Sequence, residues 1–547
     1  MADHPAGTIL VGAVYTADPS DRWAESVAVR DGRIVAVGSR REVAQHAGPD
    51  TRRLDLSTGM ILPGFQDAHV HPDGGGLVKS RCELHGISGR EGYERAVRRY
   101  ADDHPAVGWI LGGGWSLPDF PGGTPHRSVL DALVPDRPVF LKNRDGHGAW
   151  VNSRALALAG ITPQTPDPSD GRIERDVDGT PSGTLHEGAM GLVAQLVPAP
   201  TRAELERALL LAQAYLHSLG VTGWQDAHVT AETLSAYRSL AERGDLTARV
   251  VASLWWERDR GEEQVERLLE LRELGAADSL QATSVKIMQD GIVENFTAAM
   301  IDLYLDGSRN PSNRRGLSFI DPEKLKRYVT RLDAEGFQVH VHAIGDRAVR
   351  EALDAFQAAR DANGLRDSRH HIAHIQVVHP DDVPRFAELG VVANAQPLWA
   401  CLDDQMRDLT VPFLGPERVG WQYPFASLRR AGATLAFGSD WPVTTPNPLK
   451  ELQVAVTRIP EDDPEREPFL QDERLELDAA IDAFTRRSAF VNHLDDQAGT
   501  VQVGKLADLV VLDRNLFEID ALEIGDAKVL LTMVEGEPVH VAPGVGW

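Results

Sequence analysis

The sequence predicts an α/β protein: a (β/α)8 TIM barrel with a composite β-sandwich built from both termini and an α+β subdomain inserted after the first barrel strand. From residue 201 onward, amphipathic helical stretches alternate with seven short apolar runs that end in polar residues, and GFQDAHVHP at 64–72 makes an eighth. Helices alternating with short buried strands imply a parallel sheet, and eight such units favour a closed barrel over an open sheet. The gap between the first run and the second, roughly 72–220, far exceeds an ordinary connection and holds a subdomain of its own. The two chain ends share a different texture. Residues 8–38 alternate in strand fashion around Asp31-Gly32, residues 500–541 do likewise, and neither end has the apolar faces for a separate core.

The expected boundaries follow in order. Residues 1–62 form the N-terminal part of the sandwich, 63–80 the first barrel strand, 81–200 the insertion, 201–495 the remaining barrel, and 496–547 the C-terminal part of the sandwich. Within the insertion, WILGGGW (109–115) and RPVFLKNRDGHGAWVNS (137–153) read as strands and turns, and the Pro/Asp/Gly-rich stretch 165–178 as a loop. The later strands fall at 220–228, 248–256, 284–291, 337–346, 370–378, 391–398 and 433–443. Between them, 322–335 and 381–389 have apolar residues at spacings of three and four, the mark of a one-sided helix. Gly220, Gly336, Gly390 and Gly432 stand where helices end before strands.

The 547-residue chain carries 81 acidic and 56 basic residues, a net charge of −25 that repels phosphate backbones and anionic membranes. A nucleic-acid partner and a membrane are therefore not expected, and a small-molecule substrate is. Two cysteines, Cys82 and Cys401, are too few for a disulfide framework. The N-terminus has no basic segment followed by a long apolar run, and no stretch approaches the ~20 apolar residues of a membrane helix, so the expected location is the cytoplasm. Oligomeric state is open, with a homodimer one expectation.

In such a barrel the functional groups lie at the C-terminal ends of the strands. Six residues occupy those ends: His69 and His71 on the first strand, Lys286 on the fourth, His342 on the fifth, His374 on the sixth and Asp440 after the eighth. Residues i and i+2 of a strand share a face, so His69 and His71 point inward together while Val70 faces the helices. Neutral imidazoles with a carboxylate suit a divalent ion such as zinc. A lone HxH is weak evidence, whereas the same pair with two further strand-end histidines and an aspartate is a metal site. Asp440 read locally is a helix N-cap; placed opposite the histidines it can take the proton of a metal-activated water and return it to a leaving group. Lys286 has two readings. It reaches an acid such as Asp290 or the barrel mouth, or its desolvated amine takes up carbon dioxide to give a carbamate that bridges two cations.

Other residues have plainer readings. His340 lies deeper on the strand of His342 and suits the core or a supporting contact; His370, His371 and His379 suit solvated or structural places; His228 ends the second strand. Trp115 and His147, in the insertion, are candidates for covering the substrate, with packing the alternative. GTVQVGK at 499–505 has the outline of a phosphate loop, but Leu506 replaces the required hydroxyl residue and the context is alternating strand.

With these residues in hand, the chain resembles the metal-dependent amidohydrolases, specifically family 3, in the branch of the N-substituted formamide deformylases. GFQDAHVHP is similar to the branch's PGFxDxHxH, SVKIMQDG to VKxxxDG, HAIGDRAV to HxxGDxA, HIAHIQ to IEHxQ and FGSDWPV to GSDxP; DGHGAWVNSRAL and GTVQVGKLADLVVLD also match. The resemblance implies that His69, His71, His342 and His374 are metal ligands, that Lys286 is a carboxylated bridge between two Zn2+ ions, and that Asp440 is both ligand and proton shuttle. It implies hydrolysis of a non-peptide C–N bond of amide, formamide or cyclic amide type by a metal-activated hydroxide. The alternatives are a mononuclear, deaminase-like site with free Lys286, and a non-catalytic scaffold. Ala373 departs from the branch, which usually has glutamate before the histidine, and removes a carboxylate that would orient His374.

Overall fold

The computed structural model describes residues 5–547. Eight strands form the barrel: β1 (Phe65–Val70), β2 (Val221–Val229), β3 (Arg249–Trp255), β4 (Leu280–Met288), β5 (Gln338–Ala343), β6 (His371–His374), β7 (Val392–Ala395) and β8 (Leu435–Phe437). They pair in chain order, and every pair is parallel. β1 and β8, at the ends of that order, are tied by two backbone hydrogen bonds: Asp440 N–H to His69 O at 2.7 Å and His71 N–H to Trp441 O at 2.8 Å. The barrel is closed at the place where the candidate ligands lie.

The strands form where the sequence expects them because they are short, apolar on the helix-facing side and bounded by turn residues. Val285, Ile287, Val339, Val341 and Ile372 alternate outward into the main core, while the inner positions carry buried polar groups such as Gln225, Ser253 and Asn394. Among the helices are α1 (Pro72–Lys79), α2 (Arg202–Ser218), α3 (Pro322–Ala334), α4 (Asp346–Asn363) and α5 (Val383–Leu389). Thr201 and Glu204 make a capping box at α2, and Asp321 caps α3 just before Pro322. Past α3 and α5, Gly336 and Gly390 take φ of 79° and 72°, the left-handed turn that lets each chain drop into its strand.

The insertion has its own six-stranded mixed sheet and its own cores, one around Trp115, Trp150 and Tyr93. Part of the stretch expected to be a loop, 165–178, is strand: Gly171–Arg175 pairs antiparallel with Pro181–Glu187. The local Pro, Asp and Gly content argued against a strand, and pairing with a partner ten residues downstream overrode it.

Both chain ends meet in one seven-stranded sheet that runs, in pairing order, Glu537–Val541, Val529–Val534, Leu509–Leu512, Ala47–Pro63, Ala6–Tyr15, Trp23–Arg30 and Arg33–Gly38. The sheet folds over its own core, since Ile34 N–H donates to Lys505 O at 2.9 Å and Gly504 N–H to Ile34 O at 2.8 Å. Arg249 at the start of β3 anchors it to the barrel through Asp508, with nitrogen–oxygen distances of 2.6 to 2.9 Å. No helix among the described residues is long and apolar enough to cross a membrane.

Candidate metal centre

Alternation along β1 turns Asp67 and His69 into the barrel, and His71 follows on the same side at the N-terminus of α1. Asp67 is buried and accepts three hydrogen bonds: from His69 N–H at 3.0 Å, Ser439 N–H at 3.1 Å and Ser439 Oγ–H at 2.6 Å. Burial pushes its carboxyl up to about 7 against those donors. One carboxylate thereby clamps the ends of β1 and β8 together. The backbones approach so closely that a Cβ on Gly438 would lie 2.4 Å from His69 N. Two of the three glycines after the HxH have a similar cause: a Cβ on Gly75 would strike the Trp441 ring at 2.4 Å, and one on Gly76 would meet Ala208 O of α2 at 2.0 Å.

Asp440 lies against both histidines of the HxH, its Oδ1 3.2 Å from His69 Nε2 and 2.9 Å from His71 Nε2. Its Oδ2 is 3.9 Å from His374 Nδ1. Asp440 and His374 hold non-glycine residues at φ of 54° and 79°, the strained backbone found where a side chain must be aimed at a fixed point. His374 Nδ1 also lies 3.0 Å from Gln396 Oε1, and Trp399 stacks on its ring at 5.4 Å. Gln396, just beyond β7, therefore orients the histidine that Ala373 leaves without a carboxylate neighbour. His342 sits with its ring 4.4 Å from that of His374, its Nε2 3.4 Å from Gly291 O.

Burial holds the imidazoles of His69, His342 and His374 well below their ordinary pKa, and nearby Lys286 lowers each of them further. Neutral imidazole is the form that binds a metal. Burial raises the Asp440 carboxyl, but His69 and His71 outweigh it and hold the group well below the usual carboxylate range.

Lys286 is 1% exposed. Its Nζ lies 3.5 Å from His340 Nε2, and the other face of that histidine network is a 2.8 Å contact between His340 Nε2 and His69 Nδ1. Asp290 does not serve as its partner. The Asp290 oxygens are taken by the backbone N–H groups of Ala299, Ile344 and Gly345 at 2.8 to 3.0 Å, which fixes the turn into α4. Without a contacting carboxylate, burial brings the Lys286 ammonium down to about 7, and the charge of Asp440 opposes this only in part.

These donors fit a metal ion. Asp440 Oδ1 is buried and makes no hydrogen bond, although two imidazole nitrogens lie within 3.2 Å of it. Donor atoms spaced this closely without hydrogen-bond geometry are what a tetrahedral ion with ~2.0–2.1 Å bonds produces, since it holds its ligand atoms about 3.3 Å apart. His69, His374 and Asp440 offer atoms all within 4.8 Å of one another.

The centre opens into a cavity of about 1040 Å³ between the barrel mouth and the insertion. His147 lines it, 5.4 Å ring to ring from His342, with Nδ1 2.9 Å from Glu187 Oε2. Burial lowers the His147 imidazole, and the Glu187 carboxylate more than reverses this. Trp115 is placed elsewhere: it is fully buried in the insertion core, donates Nε1–H to Leu141 O at 2.9 Å, and packs on Phe120 and Trp150. His228 lines the cavity 6.5 Å ring to ring from His71. His371 is not solvated but fully buried, its ring 3.9 Å from that of His340. Glu187, Gln396 and Asp67 are the site residues that sequence reasoning missed; Asp67 alone carried a signal, as the aspartate two residues before the HxH.

A sequence profile of the amidohydrolase family matches residues 52–540. The chain belongs to the amidohydrolase family. This amidohydrolase is 34% identical over 98% of its length, and 92% of the relative's, to Protein LONG AFTER FAR-RED 3 of Arabidopsis thaliana. It is 28% identical to the N-substituted formamide deformylase of Arthrobacter pascens over 96% of this chain and 97% of the relative. Among solved structures, an uncharacterized metal-dependent hydrolase from Pyrococcus furiosus superposes with a TM-score of 0.70 at 28% identity, covering 93% of this chain and 99% of that one. The amidohydrolase is thus an enzyme, a hydrolase of carbon–nitrogen bonds other than peptide bonds, and the scaffold alternative falls away.

Proposed function

We propose that this enzyme hydrolyses a small amide, formamide or cyclic amide at a divalent-metal centre held by His69, His71, His342, His374 and Asp440, with carboxylated Lys286 bridging two zinc ions. The observation that carries the reading is the buried Asp440 oxygen beside two imidazole nitrogens with no hydrogen bond of its own. A metal bound there supplies a Lewis acid that polarises the substrate carbonyl and acidifies the attacking water. Asp440 accepts the proton of that water as its oxygen bonds to the carbonyl carbon, and delivers a proton to the nitrogen as the C–N bond breaks. His340 and Gln396 keep His69 and His374 turned toward the centre. The insertion covers the mouth and, with His147, limits bulk water around the reacting carbonyl. The relative from Arthrobacter pascens makes N-substituted formamides the first substrates to try.

A single-ion centre with free Lys286 is the second reading, favoured by the tight grouping of His69, His374 and Asp440 alone and by the 3.5 Å contact of Lys286 with His340. Metal content per chain and 13C NMR of protein grown with labelled bicarbonate decide between them. Two equivalents and a carbamate resonance lost in Lys286→Arg support the bridged centre; one equivalent and no such resonance support the single ion. Turnover of a formamide and lactam panel, abolished in Asp440→Ala, tests both, and a metal-loaded enzyme inert to the whole panel would refute the reaction.

A further inference from the structure

Among the described residues, five lysines and arginines line the cavity: Arg81, Lys142, Arg144, Arg258 and Lys286. Lys286 belongs to the metal centre. Arg144 donates to Gln405 Oε1 at 2.9 Å and faces Asp145 at 3.7 Å, while Arg258 pairs with Asp170 and stacks over Phe319. The side chains of Arg81 and Lys142 make no hydrogen bond and no ion pair within 4 Å. Although the Lys142 side chain opens into the cavity, the surrounding protein lowers its ammonium, Asp73 raises it from a distance, and Arg81 lowers it again. Each has one carboxylate within electrostatic reach, Asp73 for Lys142 and Glu204 for Arg81, but neither carboxylate is close enough to form an ion pair, so both cations can meet an anion in the cavity.

The insertion sheet explains how the two come together. Lys142 lies on the strand Val139–Asn143, opening into the cavity while its neighbours on that strand are buried. The next strand, Ile110–Trp115, sets Gly113 beside Lys142 and Gly112 beside Cys82, the residue after Arg81. These glycines are enforced by their neighbours, since a Cβ on Gly112 would lie 2.0 Å from Cys82 O and one on Gly113 2.6 Å from Lys142 O. The consequence for the cavity is a strip of bare backbone between the two cations, bordered on the Arg81 side by Glu83, which pairs beside Gly113 and lies 3.7 Å from Lys79. Arg81 and Lys142 line the same cavity as His69, His71 and Asp440, so an anion held at the strip and a bond cut at the metal centre share one space.

We propose that Arg81 and Lys142, flanking this strip, form an anion-binding subsite that holds a carboxylate or phosphate of the substrate away from the carbon–nitrogen bond that is cut. It deepens the proposed reaction and rests on it for the word substrate: the substrates become amides or formamides that carry a remote anionic group. A point charge and a planar guanidinium together accept either anion.

Calorimetric binding to the metal-loaded enzyme tests the subsite without turnover, with phenylacetate, phenyl phosphate and neutral phenylacetamide as probes. The two anions are expected to bind the wild-type protein, and the tighter one identifies the kind of group the subsite takes. Arg81→Met and Lys142→Met should each weaken the better anion by about 10-fold or more, Lys142→Arg should restore most of it, and phenylacetamide should bind all of them alike. Thermal melting checks the fold, and Lys142→Gln replaces Lys142→Met if the latter melts early. Anion affinity equal in wild type and variants, as metal coordination alone would give, overturns the subsite; so does no anion binding at all. If anion binding depends on both cations but no amide is hydrolysed, the subsite stands and the proposed reaction fails. If amides are hydrolysed while the variants bind anions normally, the reverse holds.

Discussion

Replacing Gly438 with alanine is expected to loosen the metal centre without touching any candidate ligand. The added Cβ would sit 2.4 Å from His69 N, 2.7 Å from His69 Cβ and 2.9 Å from His69 Cα, where ordinary contact begins at 3.4 Å. The end of β8 and the end of β1 must then part by about 1 Å, an amount that packed interiors do not absorb freely. That motion lies along the two hydrogen bonds joining these segments, Asp440 N–H to His69 O and His71 N–H to Trp441 O, which would stretch from 2.7 and 2.8 Å to beyond bonding range. Overpacking of this kind costs about 1–3 kcal/mol, and two weakened backbone bonds add about 1–2 kcal/mol. At roughly 2 °C per kcal/mol for a domain of this size, melting should fall by about 4–10 °C. Metal affinity should fall by about 10–100-fold, because His69, His71 and Asp440 are carried on the separated segments. Gly438 does not have a positive φ, so the effect is steric, and Gly191→Ala, with nothing within 4 Å of its Cβ, is the control expected to be neutral or slightly stabilising. Scanning fluorimetry and metal titration measure both quantities. Wild-type melting and wild-type metal affinity in Gly438→Ala would refute the idea that this contact sets the geometry of the centre.

Three further outcomes are expected. Asp440→Ala should lower kcat by about 10³-fold or more while melting changes little in chelator, since the carboxylate is both ligand and proton carrier; a variant that keeps even a tenth of wild-type kcat would exclude that role. Chelation of the wild-type enzyme should lower its melting temperature and re-addition of zinc should restore it, corresponding to about 2.7 kcal/mol when the ion is at 100 times its Kd; Asp440→Ala should respond far less, and equal responses would place the ion elsewhere. Arg249→Met leaves Asp508, 4% exposed, buried without its bidentate partner, and should destabilise the junction of barrel and terminal sheet by about 3–5 kcal/mol. Thermal unfolding reads this, Asp508→Leu added to Arg249→Met should recover part of the loss, and a shift below 1 °C in the single variant would contradict it.

The sequence by itself determined the barrel, because strand and helix periodicities of 2 and 3.6 are local properties that survive without a tertiary context. It also determined which residues stand at strand ends, and so the set His69, His71, Lys286, His342, His374 and Asp440. Tertiary structure alone decided what those residues touch. Asp67 and Ser439, which clamp β1 to β8, are 372 residues apart, and no local pattern encodes a hydrogen bond over that separation. The same holds for Gln396 behind His374, for Glu187 behind His147, and for Asp290, whose oxygens are drawn to three backbone amides and away from Lys286. Trp115 reads in sequence either as a substrate contact or as packing, and its strand turns it into the insertion core, a choice of face set by sheet packing. Arg81 and Lys142 are unremarkable as sequence, and only the intervening glycine strand makes neighbours of two cations that lie 61 positions apart in the chain.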